Sequence, residues 1–168
     1  MELPAEVEKK FQTLLGRYPL KRSALVPMAL YSQDALGCVT NEVIAEIARR
    51  LDLNTLQVTE TLAYYSMIRR KPAGKYHVQV CTNVSCMLRG SSRVHEFVRQ
   101  KLEIGNKEVT SDRMFSLEEV ECIGACTGAP ALQINYDYYE NLTPERVGKL
   151  LDLLDKGIKP APSTPISG

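Results

Sequence analysis

Two close cysteine pairs constrain this chain more than any other feature. Cys81 and Cys86 stand in a C-x4-C spacing and Cys122 and Cys126 in a C-x3-C spacing, with 35 residues between the pairs. A fifth cysteine, Cys38, lies apart from both. An odd number of cysteines without an apolar export segment argues against a disulfide framework. Thiols clustered in this way in a reducing compartment point to a metal or a metal cluster. The fold must then bring two distant segments to one place.

Composition narrows the setting. The 168 residues are 44% apolar and 24% charged, which is ordinary for a globular chain of one domain or two small ones. Lys and Arg number 21 against 20 Asp and Glu, a net charge of +1, where a nucleic-acid binder shows a basic excess. No apolar run approaches the roughly 18–20 residues of a membrane span, so direct membrane insertion is not expected. The opening MELPAEVEKK is charged and lacks the apolar stretch of a signal peptide and the Arg/Ser-rich character of a transit peptide. The expected location is a bacterial-type cytoplasm, the alternative being a chain already processed.

Periodicity divides the chain near residue 72. Before it, four apolar stripes at helical spacing predict a bundle, residues 1–72. The first helix starts at Pro4, carries Val7, Phe11, Leu14 and Leu15, and is stopped by Gly16 and Pro19. The second runs from Ser23 to Gly37 on Leu25, Met28, Ala29 and Leu36. The third is capped by Thr40, and the fourth by Asn54 with Gln57 three residues on, a capping-box pattern. Lys71, Pro72, Ala73 and Gly74 punctuate the chain.

Beyond that point Tyr76, Val78 and Val80 alternate with His77 and Gln79, a strand leading into Cys81. A helix follows on Val94, Phe97, Val98 and Leu102, with Gly105 as its expected C-cap. Further strands are expected at Met114–Glu121, leading into Cys122, at Ala131–Ile134 and at Tyr138–Leu142. Thr143 and Pro144 then open a last helix that ends at Gly157. This predicts an α/β (α+β) domain, residues 73–158, whose mixed four-stranded sheet is compatible with a thioredoxin-like layer. The Pro-rich tail, residues 159–168, is expected to be extended or ordered only against a partner.

Both cysteine pairs sit where a strand gives way to a loop. Strand ends gather at one edge of a sheet, which lets Cys81, Cys86, Cys122 and Cys126 converge. Ser85, Gly124, Ala125, Thr127, Gly128 and Ala129 are small and leave room for backbone N–H groups to approach sulfur, which favours an anionic site. Four thiolates suit a [2Fe–2S] cluster or a structural zinc, and spacing alone does not separate these. A thiol–disulfide oxidoreductase would need C-x-x-C, which neither pair has.

The stretches KPAGKYHVQVCTNVSCMLRG and VECIGACTGAPALQINYDYYENLTPE resemble the thioredoxin-like [2Fe–2S] subunit of respiratory complex I, the E-subunit family of NADH:quinone oxidoreductase. SQDALGCVT and AYYSMIRRKPAGKY extend the resemblance to the helical region, from about Phe11 to Gly157. It implies that Cys81, Cys86, Cys122 and Cys126 bind one [2Fe–2S] cluster on a thioredoxin-like fold. It also implies a soluble electron-transfer subunit, peripheral to the inner (plasma) membrane through its complex. The implied partners are a flavin-binding, NADH-oxidising subunit and the large iron–sulfur subunit. Relatives in NAD-linked hydrogenases and formate dehydrogenases supply an alternative assembly. The chain has no G-x-G-x-x-G fingerprint and no phosphate loop, so FMN and NADH belong on a partner and no complete active site is expected here.

The remaining candidates have structural readings. Cys38 reads as a small buried thiol. His77 and His95 lack the spacing of Rieske-type ligands. Pro130 is a candidate for a cis peptide beside the cysteine loop. Tyr136, Tyr138 and Tyr139 read as cover for the sheet, with a partner interface as the second reading, Arg69, Arg70 and Lys71 as a solvated patch, and Glu118, Glu119 and Glu121 as surface charges that can also tune a cluster electrostatically.

Overall fold

The protein is described by a computed structural model over residues 3–163. The chain divides into two compact units, Met1–Pro72 and Ala73–Gly168.

The first unit is helical: α1 Ala5–Arg17, a 3-10 turn Lys21–Ala24, α2 Leu25–Leu36, α3 Asn41–Leu51 and α4 Thr55–Tyr64. Phe11, Met28, Val43, Ile47, Val58 and Leu62 fill its core. Thr40 caps α3 by accepting the Val43 N–H at 3.4 Å. At α4 the Asn54 side chain accepts the Gln57 N–H at 2.8 Å while Gln57 accepts the Asn54 N–H at 3.0 Å, satisfying two otherwise orphaned donors. Two boundaries differ from expectation. α1 continues through Gly16 to Arg17, because a single glycine costs only about 1 kcal/mol in a helix whose apolar stripe is already packed. Ser23 falls in the 3-10 turn, so α2 starts at Leu25 and Pro27 remains within its first turn.

The second unit is α/β. Its elements are β1 Tyr76–Cys81, α5 Val84–Leu88, α6 Ser91–Leu102, β2 Glu108–Val109, β3 Phe115–Val120, β4 Leu132–Ile134, β5 Asp137–Tyr139 and α7 Pro144–Asp155. The sheet order is β2-β3-β1-β4-β5, with β1 and β3 parallel and the other pairs antiparallel. Val78 and Val80 of β1, Leu117 of β3 and Leu132 of β4 are packed in one core with Val94 and Val98 of α6 and Val147, Leu151 and Leu154 of α7. Gly74 is required at the approach to β1, because a Cβ there would stand 2.4 Å from the Phe115 carbonyl carbon.

The sheet has five strands where four were expected. The extra one, β2, is two residues long, too short to show a period, and is added as an edge against β3. Between β1 and the next strand, where one helix on Val94, Phe97, Val98 and Leu102 was expected, there are two, α5 and α6, separated by Gly90 at φ +95°. α6 ends on a left-handed Glu103 rather than at Gly105. β5 stops at Tyr139, short of the expected Leu142, because the Asn141 N–H turns to the Gly128 carbonyl at 2.6 Å.

The tail is ordered against its own sheet as far as Ser163. Lys159 pairs with Asp137 at 2.6 Å, and the Ser163 N–H donates to the Tyr138 carbonyl at 2.8 Å. The part of the tail expectation that falls on residues 164–168 lies outside the described residues.

Candidate metal centre

The parallel pairing of β1 and β3 places the two cysteine-bearing loops at one sheet edge. Register aligns Cys81 with Val120, so both strands end together and Cys122 follows two residues later. β4 flanks β1 on its other side. The segment from Glu121 to Ala131 therefore crosses over the end of β1. It is tied there, since the Thr82 N–H donates to the Val120 carbonyl at 3.0 Å and the Cys81 N–H donates to the Ala131 carbonyl at 3.2 Å. Its far half forms a 3-10 turn, Cys126–Gly128, followed by a cis Ala129–Pro130 bond. The Leu142 N–H holds the Pro130 carbonyl at 3.0 Å.

Cys86 reaches the same place from α5, a short helix capped by Asn83. Cys81 and Cys86 are buried with Ala129 and Ala131, with Ile123 and Ala125 against them. Burial, then contact with the Cys81 thiol, push the Cys86 thiol up to about 11, with further contributions from Cys81 and Cys126, while the Ala131 backbone N–H opposes the shift. Cys81 and Cys126 thus both lie near enough to act on Cys86. Cys122 and Cys126 are exposed, and the Cys122 Sγ accepts the Gly124 N–H at 3.4 Å. Gly124 reaches that position at φ +79°, a conformation suited to glycine.

Among the described residues, no three His, Cys, Asp or Glu side chains are grouped as ligands of a single metal ion. The donor chemistry nevertheless fits a binuclear iron–sulfur group. The thiols come as two pairs from two loops, the lining is small, and backbone N–H groups are aimed at sulfur on both sides, where they lower the cost of negative charge. The buried Cys86 thiol resists ionisation unless a cation replaces its proton, which is how metal binding and thiol deprotonation are linked.

The other sequence candidates lie elsewhere. Cys38 is buried within the helical unit. His77 is buried between β1 and β3, its Nδ1 2.8 Å from Ser116 Oγ and its Nε2 3.1 Å from Glu118 Oε2. The contact with His77, with Gln79 adding to it, holds the Glu118 carboxyl below its ordinary value, so Glu118 is part of a sheet-face network and not a free surface charge. This network was missed in sequence, although the register His77↔Ser116 and Gln79↔Glu118 is visible once the two strands are known to be parallel. Tyr139 is buried, while Tyr136 and Tyr138 are exposed. No helix of the described residues is long and apolar enough to cross a membrane.

A thioredoxin-like sheet with paired thiols at the ends of parallel strands defines a class of small redox proteins, the thioredoxin-like ferredoxins. Residues 11–155 match the thioredoxin-like [2Fe-2S] ferredoxin family, and the chain belongs to it. It is 41% identical over 146 residues to the NADH-quinone oxidoreductase E-subunit of Rickettsia bellii, covering 85% of this chain and 87% of that one. It is 34% identical over 159 residues to the E-subunit of Mycobacterium bovis, covering 95% of this chain and 63% of the relative. Among solved structures, a chain of an NAD+-reducing [NiFe]-hydrogenase is similar in fold, with a TM-score of 0.70 at 18% identity over 80% of this chain. That match takes in 22% of the hydrogenase chain.

Proposed function

We propose that this chain is the electron-transfer E-subunit of an NADH:quinone oxidoreductase, holding one [2Fe–2S] cluster on Cys81, Cys86, Cys122 and Cys126. The single observation that supports the ligand set most is the register that ends β1 at Cys81 beside Val120 of β3, so that the loops carrying the two thiol pairs leave the sheet at the same end. A bound cluster supplies one-electron chemistry, taking up and returning single electrons with no open coordination position for a substrate. The chain's own residues bind and shield. Cys81 and Cys86 anchor the site in a dry pocket, Ala129 and Ala131 keep water from it, and the Gly124 and Ala131 N–H groups offset charge on sulfur.

The exposed half of the site faces outward with Cys122 and Cys126. Beside it Val84, Met87 and Leu88 of α5 expose apolar side chains, Leu88 to 78%. Such a patch suits docking of the flavin-binding, NADH-oxidising subunit, with the large iron–sulfur subunit nearby. FMN and NADH would sit on those partners, and the location would be cytoplasmic, peripheral to the membrane. Relatives at 34–41% identity that carry the E-subunit name favour this assembly over the diaphorase part of a hydrogenase or formate dehydrogenase. Family membership likewise favours iron and sulfide over a structural zinc.

The test is direct. The purified protein should contain iron and acid-labile sulfide and show a paramagnetic signal when reduced. Cys122→Ser should weaken or lose the cluster, since serine oxygen is a poorer iron ligand than thiolate, and Cys38→Ser should leave the visible spectrum intact. A colourless protein with one zinc, or bleaching by Cys38→Ser alone, would overturn the assignment.

A further inference from the structure

One carboxylate lies against the cysteine loop without a counter-ion. Glu140 follows β5, and its side chain crosses Gly128 so closely that a Cβ at that glycine would stand 2.5 Å from Glu140 Cδ and 2.7 Å from Oε2. Gly128 closes the 3-10 turn that Cys126 opens. At roughly 2 Å of rise per residue, the two are only about 4 Å apart along its axis. Glu140 is held in place on both sides. Its own N–H donates to Ser163 Oγ at 3.0 Å, and the next N–H, of Asn141, donates to the Gly128 carbonyl at 2.6 Å.

Two cations near Glu140 are engaged elsewhere, and Arg89 lines a separate recess with Cys126 and Thr127. Lys159 pairs with Asp137 at 2.6 Å, and Arg146 donates to the Asn141 carbonyl at 2.6 Å. Among the described residues, no ion pair reaches the Glu140 carboxylate. The residue is half-buried, so its field is screened less than that of a surface acid such as Glu121. It borders a cavity of about 600 Å3 that runs along Ile123, Gly124 and Thr127 of the loop.

We propose that Glu140 is a charge that sets the reduction potential of the cluster held by Cys81, Cys86, Cys122 and Cys126, keeping it low. The proposal rests on that ligand assignment. Reduction adds one electron and makes one ferric iron ferrous, with no bond made or broken, so the site becomes more negative by one charge. A fixed carboxylate lying on the turn that carries Cys126 opposes that change and favours the oxidised form. Glu140 does not touch the iron. It is a positioning charge acting through space, and a cationic group of a partner seated in the cavity would cancel it.

The test is a mediated potential titration of the full-length protein with dithionite as electron donor, read by visible absorption. Glu140→Gln keeps the side chain's size and removes its charge, and should raise the midpoint. Glu140→Asp keeps the charge and should fall between Glu140→Gln and the parent. Asp155→Asn is the control. Asp155 lines a recess with Phe115 at the other end of β3, and six strand residues at about 3.3 Å each put it roughly 20 Å from the cysteine loop, so it should leave the midpoint unchanged. Iron and sulfide are measured on every variant. An unchanged midpoint in Glu140→Gln with full cluster content overturns the proposal and leaves the ligand assignment standing. Loss of the cluster in both Glu140→Gln and Glu140→Ala overturns it in favour of a purely structural role. Absence of iron and sulfide from the parent protein instead defeats the ligand assignment.

Discussion

Replacing Gly128 by alanine tests whether the cysteine loop is held by close approach to the segment after β5. The added Cβ would lie 2.5 Å from Glu140 Cδ and 2.6 Å from Glu140 Cβ. Carbon atoms in contact prefer about 3.5–4.0 Å, so one segment must move by about 1 Å. The Glu140 carboxylate can swing away, but its Cβ moves only with the backbone. That backbone is tied to Gly128 itself by the Asn141 N–H at 2.6 Å. Gly128 is not among the left-handed glycines, so alanine meets no conformational penalty and the cost is steric. Overpacking of this kind costs about 1–3 kcal/mol. With a urea dependence of about 2 kcal/mol per molar, a cost of about 2 kcal/mol lowers the unfolding midpoint by about 1 M. The assay is urea unfolding of the full-length protein, read by visible absorption for the cluster and far-ultraviolet dichroism for the fold. Pairing Gly128→Ala with Glu140→Gly removes the obstructing Cβ and should recover most of the loss. The reasoning is refuted if Gly128→Ala unfolds with the parent, or if the two substitutions simply add.

Other outcomes follow from the same structure. In the helical unit Arg50 joins Glu8 of α1 to Glu46 of α3 at 2.6 Å each, and the arginines hold both carboxyls at about 2. Folded values below unfolded ones mean that this contribution is complete above about pH 4.5 and is lost as pH falls toward 2. Thermal unfolding of the full chain followed by dichroism should therefore show stability falling across that window, and Glu46→Gln should flatten the slope. Leu132, fully buried in β4 against α6 and α7, should cost about 2–5 kcal/mol when cut to alanine, a loss visible as a lower urea midpoint. A midpoint equal to the parent's would mean that β4 does not carry the core.

Most local features could be read without coordinates, because they depend on near neighbours in the chain. The caps at Thr40, Asn54 and Thr143 form with the expected partners, since a side chain and an N–H two or three residues on need no other part of the protein. The apolar stripe expected for α1 is buried at Val7, Phe11 and Leu14, as its spacing required. What escaped was short or long-range. β2 has only two residues and exists because β3 offers an edge. Glu118 looked like a surface charge until parallel pairing set it beside His77 and Gln79.

The cysteine spacing, by itself, determined which residues could serve as ligands, because thiolates at strand ends with small neighbours suit few chemistries. The tertiary structure alone decided which of them are dry and which face outward. Cys81 and Cys86 are buried, whereas Cys122 and Cys126 are exposed on the strap that crosses β1. It also decided that Glu140 lies on Gly128. That contact joins residues 12 apart and is held by the neighbouring Asn141 N–H bond to the Gly128 carbonyl, and no local pattern in the chain encodes it.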